Sequence, residues 1–449
     1  YTEFVALQVA GQSLHSSRSL AASDSESSFT KELAAFPELG TTLQDNANPN
    51  DKLMHRLDDM VATTGSAFLG LTIGCARCHD HKIDPITSEE YYRLTAIYFD
   101  QVEVPPSANP EIVLEITEPQ LLAGGSWQRP VKKVTPGFVS VLMPKQANSE
   151  AWISTEETQS DPKLGLARWL TDVESGAGGL LARVLVNRVW QHHFGRGIVN
   201  TPNDFGLLGD EPTHPELLDW LAREFVEGGW KIKDLHRTIM TSATYQQSSG
   251  DRASAQRWSK LDADNKLLWH FQPRRLEAET IRDSLLAVSG GLKNEMYGPS
   301  VRVGSIERRK SFDDNPSTWR RSIYMMAPRF DKHPTLSIFD GADNMESVGK
   351  RGASTTPTGA LFMLNAGFVW QQAELLAGRI QKEVGEEPTK QIQHLYRLTF
   401  ARKPSNSELE LGLEFLTTDH STSSDREGKS RLVHYCHAIV GLNEFIYTP

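Results

Sequence analysis

Cys75-Ala76-Arg77-Cys78-His79 is the stretch whose reading decides this chain. It holds two of the three cysteines, at i and i+3, with a histidine directly after the second. Cys-x-x-Cys-His is the attachment pattern of a c-type haem. Two thioethers fix the porphyrin, and the imidazole takes one axial position on iron. Residues i, i+3 and i+4 lie on one face of a helical turn, so Cys75, Cys78 and His79 can face one side of a flat macrocycle.

The flanks suit such a ring. Phe68-Leu69-Gly70-Leu71-Thr72-Ile73-Gly74 is apolar and punctuated by glycine. Asp80-His81-Lys82-Ile83-Asp84-Pro85-Ile86 reads as an irregular polar turn, and Thr87-Ser88-Glu89-Glu90 as a capping box opening a helix to Tyr98. The motif has two other readings. A zinc site needs a fourth ligand, usually from a second Cys/His pair, and the remaining cysteine, Cys436, stands far away without one. A redox dithiol sits at the start of a helix after a strand in a βαβ unit, and no such unit is visible.

The 449 residues, 39% hydrophobic, are enough for a large core and two or three domains. A net charge of −10 gives no basic footprint for nucleic acid. No run of 18 apolar residues is present, so no transmembrane segment is expected. Tyr1-Thr2-Glu3-Phe4 opens on an ordinary globular pattern, whereas a c-haem protein normally carries a leader; the expectation is a processed chain or a fragment. Three cysteines do not make a disulfide scaffold.

Residues 1–15 lean to helix, 16–52 read as a long polar loop, and Asp51 to Phe68 as the helix before the motif. Within 103–150, Ile112 to Ile116 and Phe138 to Leu142 are strand-like, with turns at Gly124-Gly125-Ser126-Trp127 and Thr135-Pro136-Gly137. From about residue 160 the pattern is helical: Leu164–Leu170, Leu180–Phe194, Pro215–Glu227 behind a capping box at Thr213, Ile232–Ser242 and Leu276–Ser289. Residues 290–357 are irregular apart from a strand-like Arg321–Met325. A long helix Thr358–Val384 follows, then Gln391–Phe400, Asn406–Leu416 and Arg431–Glu444. The expected fold is mainly α: a cytochrome-c-like haem region over 1–102, a small β-containing connector over 103–150, and a large helical companion domain over 151–449.

Several segments are recognisable together. Residues 68–86 resemble the cytochrome-c-like domain of a protein family abundant in planctomycetes and their relatives. The run from Leu185 to Val199 (LVNRVWQHHFGRGIV) resembles that family's companion domain, as do Pro202-Asn203-Asp204-Phe205-Gly206, Met240 to Tyr245, Arg274 to Glu279 and Leu442-Asn443-Glu444-Phe445. The resemblance covers about residues 53–102 and 125–449 and implies secreted proteins with one covalent haem c; it assigns the companion domain no settled function. The connector is short where many relatives carry a larger insert.

His79 is then the proximal ligand. His81, on the same side of the ring, is a candidate for a hydrogen bond to a haem propionate or the adjacent backbone. For the distal position His192, between Trp190 and Phe194, is the first choice, and Met143 the alternative; His55 and Met60 lie on the helix before the motif. A five-coordinate iron is the remaining option, and the choice decides function: two strong ligands favour outer-sphere electron transfer, an open position permits small-molecule chemistry. Asn187, Arg188, His192, Arg196, Asp204 and His214 form either a polar pocket or an ion-paired turn. Arg274 to Asp283 reads as a solvated mixed-charge face, and the locally basic Arg308-Arg309-Lys310 and Arg320-Arg321 as solvated loop charge, with contact to an acidic partner the alternative. The leading expectation is an extracytoplasmic (periplasmic or secreted) mono-haem cytochrome in electron transfer, with a redox partner protein or other subunits of an assembly. The alternatives are a haem-dependent oxidoreductase with a substrate pocket, for a carbohydrate among others, and an envelope module stabilised by haem.

Overall fold

The computed structural model describes residues 1–18, 48–102, 104, 113–249, 255–301, 316–327, 333–342, 347–352, 354, 356–417 and 430–448. Most of the expected polar loop, Ile112 and Arg308-Arg309-Lys310 lie outside these residues. The chain divides into two compact units, Tyr1–Phe271 and Gln272–Pro449. The division falls inside the stretch read from sequence as one companion domain.

The first unit opens with α1 (Thr2–Arg18), kinked at Ala10, and α2 (Pro49–Thr64). The start of α2 is written in its sequence: Asn48 accepts the Asn50 N–H through its side chain, and Pro49 occupies the first turn, where no donor is needed. A π-turn, Gly65–Leu69, ends at Gly70 in the left-handed region, and a 3₁₀ turn, Ile73–Arg77, carries the motif. Helix α3 (Ser88–Tyr98) starts with the expected capping box, in which Thr87 and Glu90 satisfy each other's backbone N–H. A hairpin of β1 (Gln120–Leu122) and β2 (Pro130–Lys133) follows, antiparallel, with Gln120 opposite Lys133. Two short helices, α4 (Glu150–Ile153) and α5 (Glu156–Ser160), lead to α6 (Pro162–Thr171), which packs on α1. Then come α7 (Gly178–Phe194), α8 (Pro215–Glu227), α9 (Ile232–Met240) and α10 (Ala255–Leu261).

The core of α2, α3 and α6 is rich in large rings. Tyr91, Tyr92, Tyr98, Phe138 and Trp169 are all fully buried. Phe138 stacks on Trp169 at 4.9 Å. Each such side chain contributes about 1.5–3 kcal/mol on leaving water.

The second unit is built round α14 (Gly367–Val384). Before it come β3 (Arg274–Arg275), α11 (Ala278–Ser289), α12 (Pro334–Ile338) and α13 (Pro357–Asn365). After it come α15 (Pro388–Phe400), α16 (Asn406–Thr417), α17 (Arg431–Val440), α18 (Asn443–Ile446) and β4 (Tyr447–Thr448), which pairs with β3. Helix α14 packs on α11, α13, α15 and α17.

The fold is mainly helical with a small β connector, as expected, but several elements differ. Residues 138–142 are not a strand: the Phe138 N–H goes to Ser149 Oγ at 2.9 Å, and Phe138 and Val139 are both buried, against the alternation a strand needs. Residues 113–116 also lack regular structure, and Asn50 Oδ1 takes the N–H groups of Glu115 and Ile116. The connector's strands are β1 and β2, on either side of the expected glycine turn. Within the strand-like Arg321–Met325 the structure has a 3₁₀ turn, Ser322–Tyr324, where the Asp283 carboxylate takes the Ser322 N–H at 2.8 Å. The long helix over 358–384 is two, broken at an extended Ala366, and the Trp370 indole donates to the Leu364 carbonyl beside the break. At α8 the cap is His214, one residue later than expected; the Thr213 hydroxyl is turned to the Ile198 carbonyl instead.

Candidate functional site

The motif lies on an exposed turn. Cys75 and Cys78 are exposed free thiols, and Ala76 between them is fully buried, anchoring the turn. Cys75 lies within the 3₁₀ turn and Cys78 is the residue that caps it. Arg77 reaches back to α2, its guanidinium 3.0 Å from Asp58. The same carboxylate accepts the Tyr91 hydroxyl at 2.6 Å, and the Tyr92 hydroxyl donates to the Arg77 carbonyl at 3.0 Å. Burial pushes the Tyr92 phenol up to about 12, against the pull of Arg77. Burial and the neighbouring Asp58 hold Tyr91 well above the usual tyrosine range. Both phenols therefore stay neutral donors beneath the motif.

The two histidines of the loop have opposite roles. His79 is exposed, with Nδ1 2.7 Å from the Asp80 carbonyl. A carbonyl only accepts, so Nδ1 carries the proton and Nε2 keeps an open lone pair, the tautomer that a metal-bound imidazole needs. His81 is buried. Its Nδ1 accepts the Asp84 N–H at 2.8 Å and its Nε2 lies 3.2 Å from Thr72 Oγ1. Both nitrogens thus face groups of the loop itself, the Asp84 backbone N–H and the Thr72 hydroxyl.

The hairpin turn comes close to Cys78 on one side while leaving it exposed. Gly125, at φ +75°, sits so close that a β carbon there would stand 2.9 Å from the Cys78 sulfur. Trp127, in the same turn, donates to Asp51 at 2.8 Å.

Residues 1–103 match the family model PSCyt2, a protein of unknown function (DUF1549), and residues 162–416 match PSD1, a protein of unknown function (DUF1553). These are families of planctomycete cytochrome-c-domain proteins. The chain belongs to that family. No curated protein and no solved structure matches it.

In this planctomycete cytochrome-c-domain protein the two matched segments interlock within the first unit. Arg188, on α7, donates to the carbonyls of Ser66, at 2.6 Å, and Ala67 in the π-turn, and to Asn203 at 3.0 Å. Burial pulls its guanidinium below the ordinary arginine value. Phe205 donates its N–H to the Gly70 carbonyl at 2.6 Å, and Leu207 donates to Asp84 Oδ1 at 2.7 Å. Asn187 bridges to both backbone groups of Val199. Asn187 and Arg188 thus act as staples for backbone groups rather than as walls of a polar pocket.

Among the distal candidates, Met143 is half-buried and packs against the core that holds Phe68, Leu71 and Ile73. His192 is exposed on the last turn of α7, while Trp190 is buried. His55 is exposed and Met60 buried in the core.

Sequence reasoning missed two sites. Arg282, assigned to a solvated face, is fully buried and donates to the carbonyls of Thr318 and Arg320, at 3.1 and 3.0 Å, and to Ser322 Oγ. Arg320 is buried too and donates to the Pro299 carbonyl at 3.0 Å. Beside them the second unit holds a cavity of ≈ 400 Å³ whose lining includes Glu279, Asp283, Arg321, His333, Ser337 and Arg351. Its polar groups are spread over 277–351, a separation that no sequence period reveals.

Proposed function

We propose that the chain carries one covalent haem c on Cys75 and Cys78, with His79 as the proximal ligand. It would then act in one-electron transfer outside the cytoplasm, with a redox partner protein or within a larger assembly. The observation that carries this reading is the state of the three side chains: two free thiols at i and i+3, and an imidazole whose Nδ1 proton is engaged by Asp80, leaving Nε2 open. A metal ion held by protein alone needs three or four ligands converging on one point. Among the described residues no group of three or more His, Cys, Asp or Glu is so arranged. A porphyrin asks instead for two separate thioether arms and one axial nitrogen.

When bound, the haem supplies a one-electron couple, accepting an electron from one partner and passing it to another with no bond made or broken. The protein's part is orientation. Asp80 holds the His79 tautomer, His81 and Thr72 shape the loop, and Arg77 with Tyr92 fixes the turn to α2 and α3. Attachment of haem c takes place outside the cytoplasm, which supports an extracytoplasmic location. Among the described residues no helix is long and apolar enough to cross a membrane. For the opposite face of the iron the candidates are His192 and Met143.

Intact mass of the denatured protein, matured in a host competent for cytochrome c, tests attachment. One haem per chain is expected, and Cys78→Ser weakens the adduct; the apo mass in parent protein overturns the reading. Reduced-minus-oxidised spectra then separate the functions. Low-spin iron indifferent to carbon monoxide supports electron transfer, and His192→Ala or Met143→Leu, whichever yields high-spin iron, identifies the distal ligand.

A second reading rests on the cavity of the second unit, whose volume lies in the range of small-ligand sites. On it the protein is a haem-dependent oxidoreductase acting on a bound substrate, a carbohydrate among others. High-spin iron that binds carbon monoxide in the parent protein favours this reading over the first.

A further inference from the structure

Asp84 is an expensive residue. Its side chain is only 5% exposed, and Oδ1 accepts the Leu207 N–H while Oδ2 has no hydrogen-bond partner among the described residues. The nearest cationic candidate, His81 Nδ1, is 3.6 Å from Oδ2 and already accepts the Asp84 N–H. Burying a carboxylate with one oxygen unsatisfied costs several kcal/mol in an ordinary core, so the position carries a constraint beyond packing. The geometry around it is tight. A β carbon on Gly206 would stand 2.5 Å from Oδ2, so only glycine lets the 203–207 backbone close on the carboxylate.

Asp84 is five residues from His79, in a loop tied to itself at every step. His81 N–H bonds to the Ile86 carbonyl, Asp84 N–H to His81 Nδ1, and Ser88 N–H to Asp80 Oδ1. A displacement at Asp84 therefore travels to Asp80, whose carbonyl holds the His79 imidazole. Three further bonds fix the same companion segment to the chain before the motif: Phe205 N–H to the Gly70 carbonyl, and the two arms of the Arg188 fork on Ser66 and Ala67. Flanking the latch, Ile83 and Leu207 are exposed, at 47% and 73%, an apolar rim of the kind that the edge of a porphyrin covers.

We infer that the latch of Asp84 onto the Gly206–Leu207 backbone positions the attachment loop and His79 with it, so that companion segment 188–207 sets the ligand state of the haem iron. The inference rests on the haem reading above. Asp84 is a positioning residue, acting through the loop and not by touching iron. It gives the companion segment a task in the redox site itself.

The test uses full-length, haem-loaded protein and three variants. Gly206→Ala drives a methyl into the carboxylate, Asp84→Ala deletes it, and Asp84→Asn keeps the Oδ1 acceptor while removing the charge. Covalent haem is counted by intact mass and folding is followed by far-ultraviolet circular dichroism. The readout is the rate at which the reduced protein binds carbon monoxide. Gly206→Ala and Asp84→Ala are expected to keep covalent haem and to bind carbon monoxide at least about tenfold faster than the parent, whose low-spin iron takes it up slowly or not at all, while Asp84→Asn stays at the parent's level. If Gly206→Ala does not fold, Asp84→Ala alone carries the test. Parental rates in haem-loaded Asp84→Ala overturn the inference. So does an Asp84→Asn as fast as Asp84→Ala, because charge and not position would then be at work. Failure of the haem reading looks different: the parent itself would carry no haem.

Discussion

Gly125 leaves no room for a methyl above Cys78: the added carbon would stand 2.9 Å from the sulfur, and the backbone is left-handed there at φ +75°. An L-residue in that conformation costs about 1–2 kcal/mol before any clash. Gly125→Ala is therefore expected to lower the melting temperature and push the Cys78 thiol off its site. In haem-loaded protein the variant carries fewer second thioethers. The pyridine haemochrome band then moves to longer wavelength, as it does when a vinyl group stays unreacted. An unchanged band and melting temperature would show that the turn gives way without cost.

Asp58 gathers the two phenol- and guanidinium-bearing neighbours of the motif, with Tyr91 at 2.6 Å and Arg77 at 3.0 Å. Asp58→Ala leaves a buried hydroxyl without its acceptor and is expected to cost about 2–3 kcal/mol of stability. Asp58→Asn, which keeps an acceptor, is expected to lose less. Urea unfolding at neutral pH measures both, and equal losses would remove the hydrogen bonds from the account.

In the second unit Arg282 satisfies two carbonyls and a hydroxyl that the surrounding core hides from water. Arg282→Met keeps much of the volume and none of the donors, and is expected to cost about 3 kcal/mol. A loss below about 1 kcal/mol in chemical denaturation would mean that water replaces the guanidinium.

Stability falls on the alkaline side. Burial pushes the Cys436 thiol from 9.0 up to about 12 and is the main cause of the Tyr92 rise from 10.0 to about 12. The folded state holds these protons where the unfolded chain releases them. Their contribution is therefore full below about pH 9 and is lost progressively as the pH rises towards 12. The urea midpoint is expected to drop between about pH 8 and pH 11, and Cys436→Ala is expected to drop less over that interval. The same slope in both would assign the loss elsewhere.

Much of this was legible in the chain. Thr87 and Glu90 stand three apart before an apolar run, and the capping box forms; Asn48 and Pro49 announce the next helix in the same way. The motif was readable because its three groups lie within five residues. What sequence could not give depends on partners distant along the chain. Arg282 looked like surface charge because the carbonyls that hold it come from residues 318 and 320. Phe138 and Val139 looked like a strand because β-forming residues in a row cannot show that a serine eleven positions on will take the backbone N–H. Asp84 looked like part of a polar turn, and only the fold brings Gly206 and Leu207 to its carboxylate.

The Arg188 fork makes the gap between the two family matches a seam in name only. Residues 104–161 separate the matched segments in sequence, yet a cut there would strip the π-turn carbonyls of their donors and Asp84 of its backbone anchor. Neither fragment would inherit a finished surface. The compact unit that holds the motif is residues 1–271, so the companion's first helices belong with the cytochrome segment rather than with the rest of the companion.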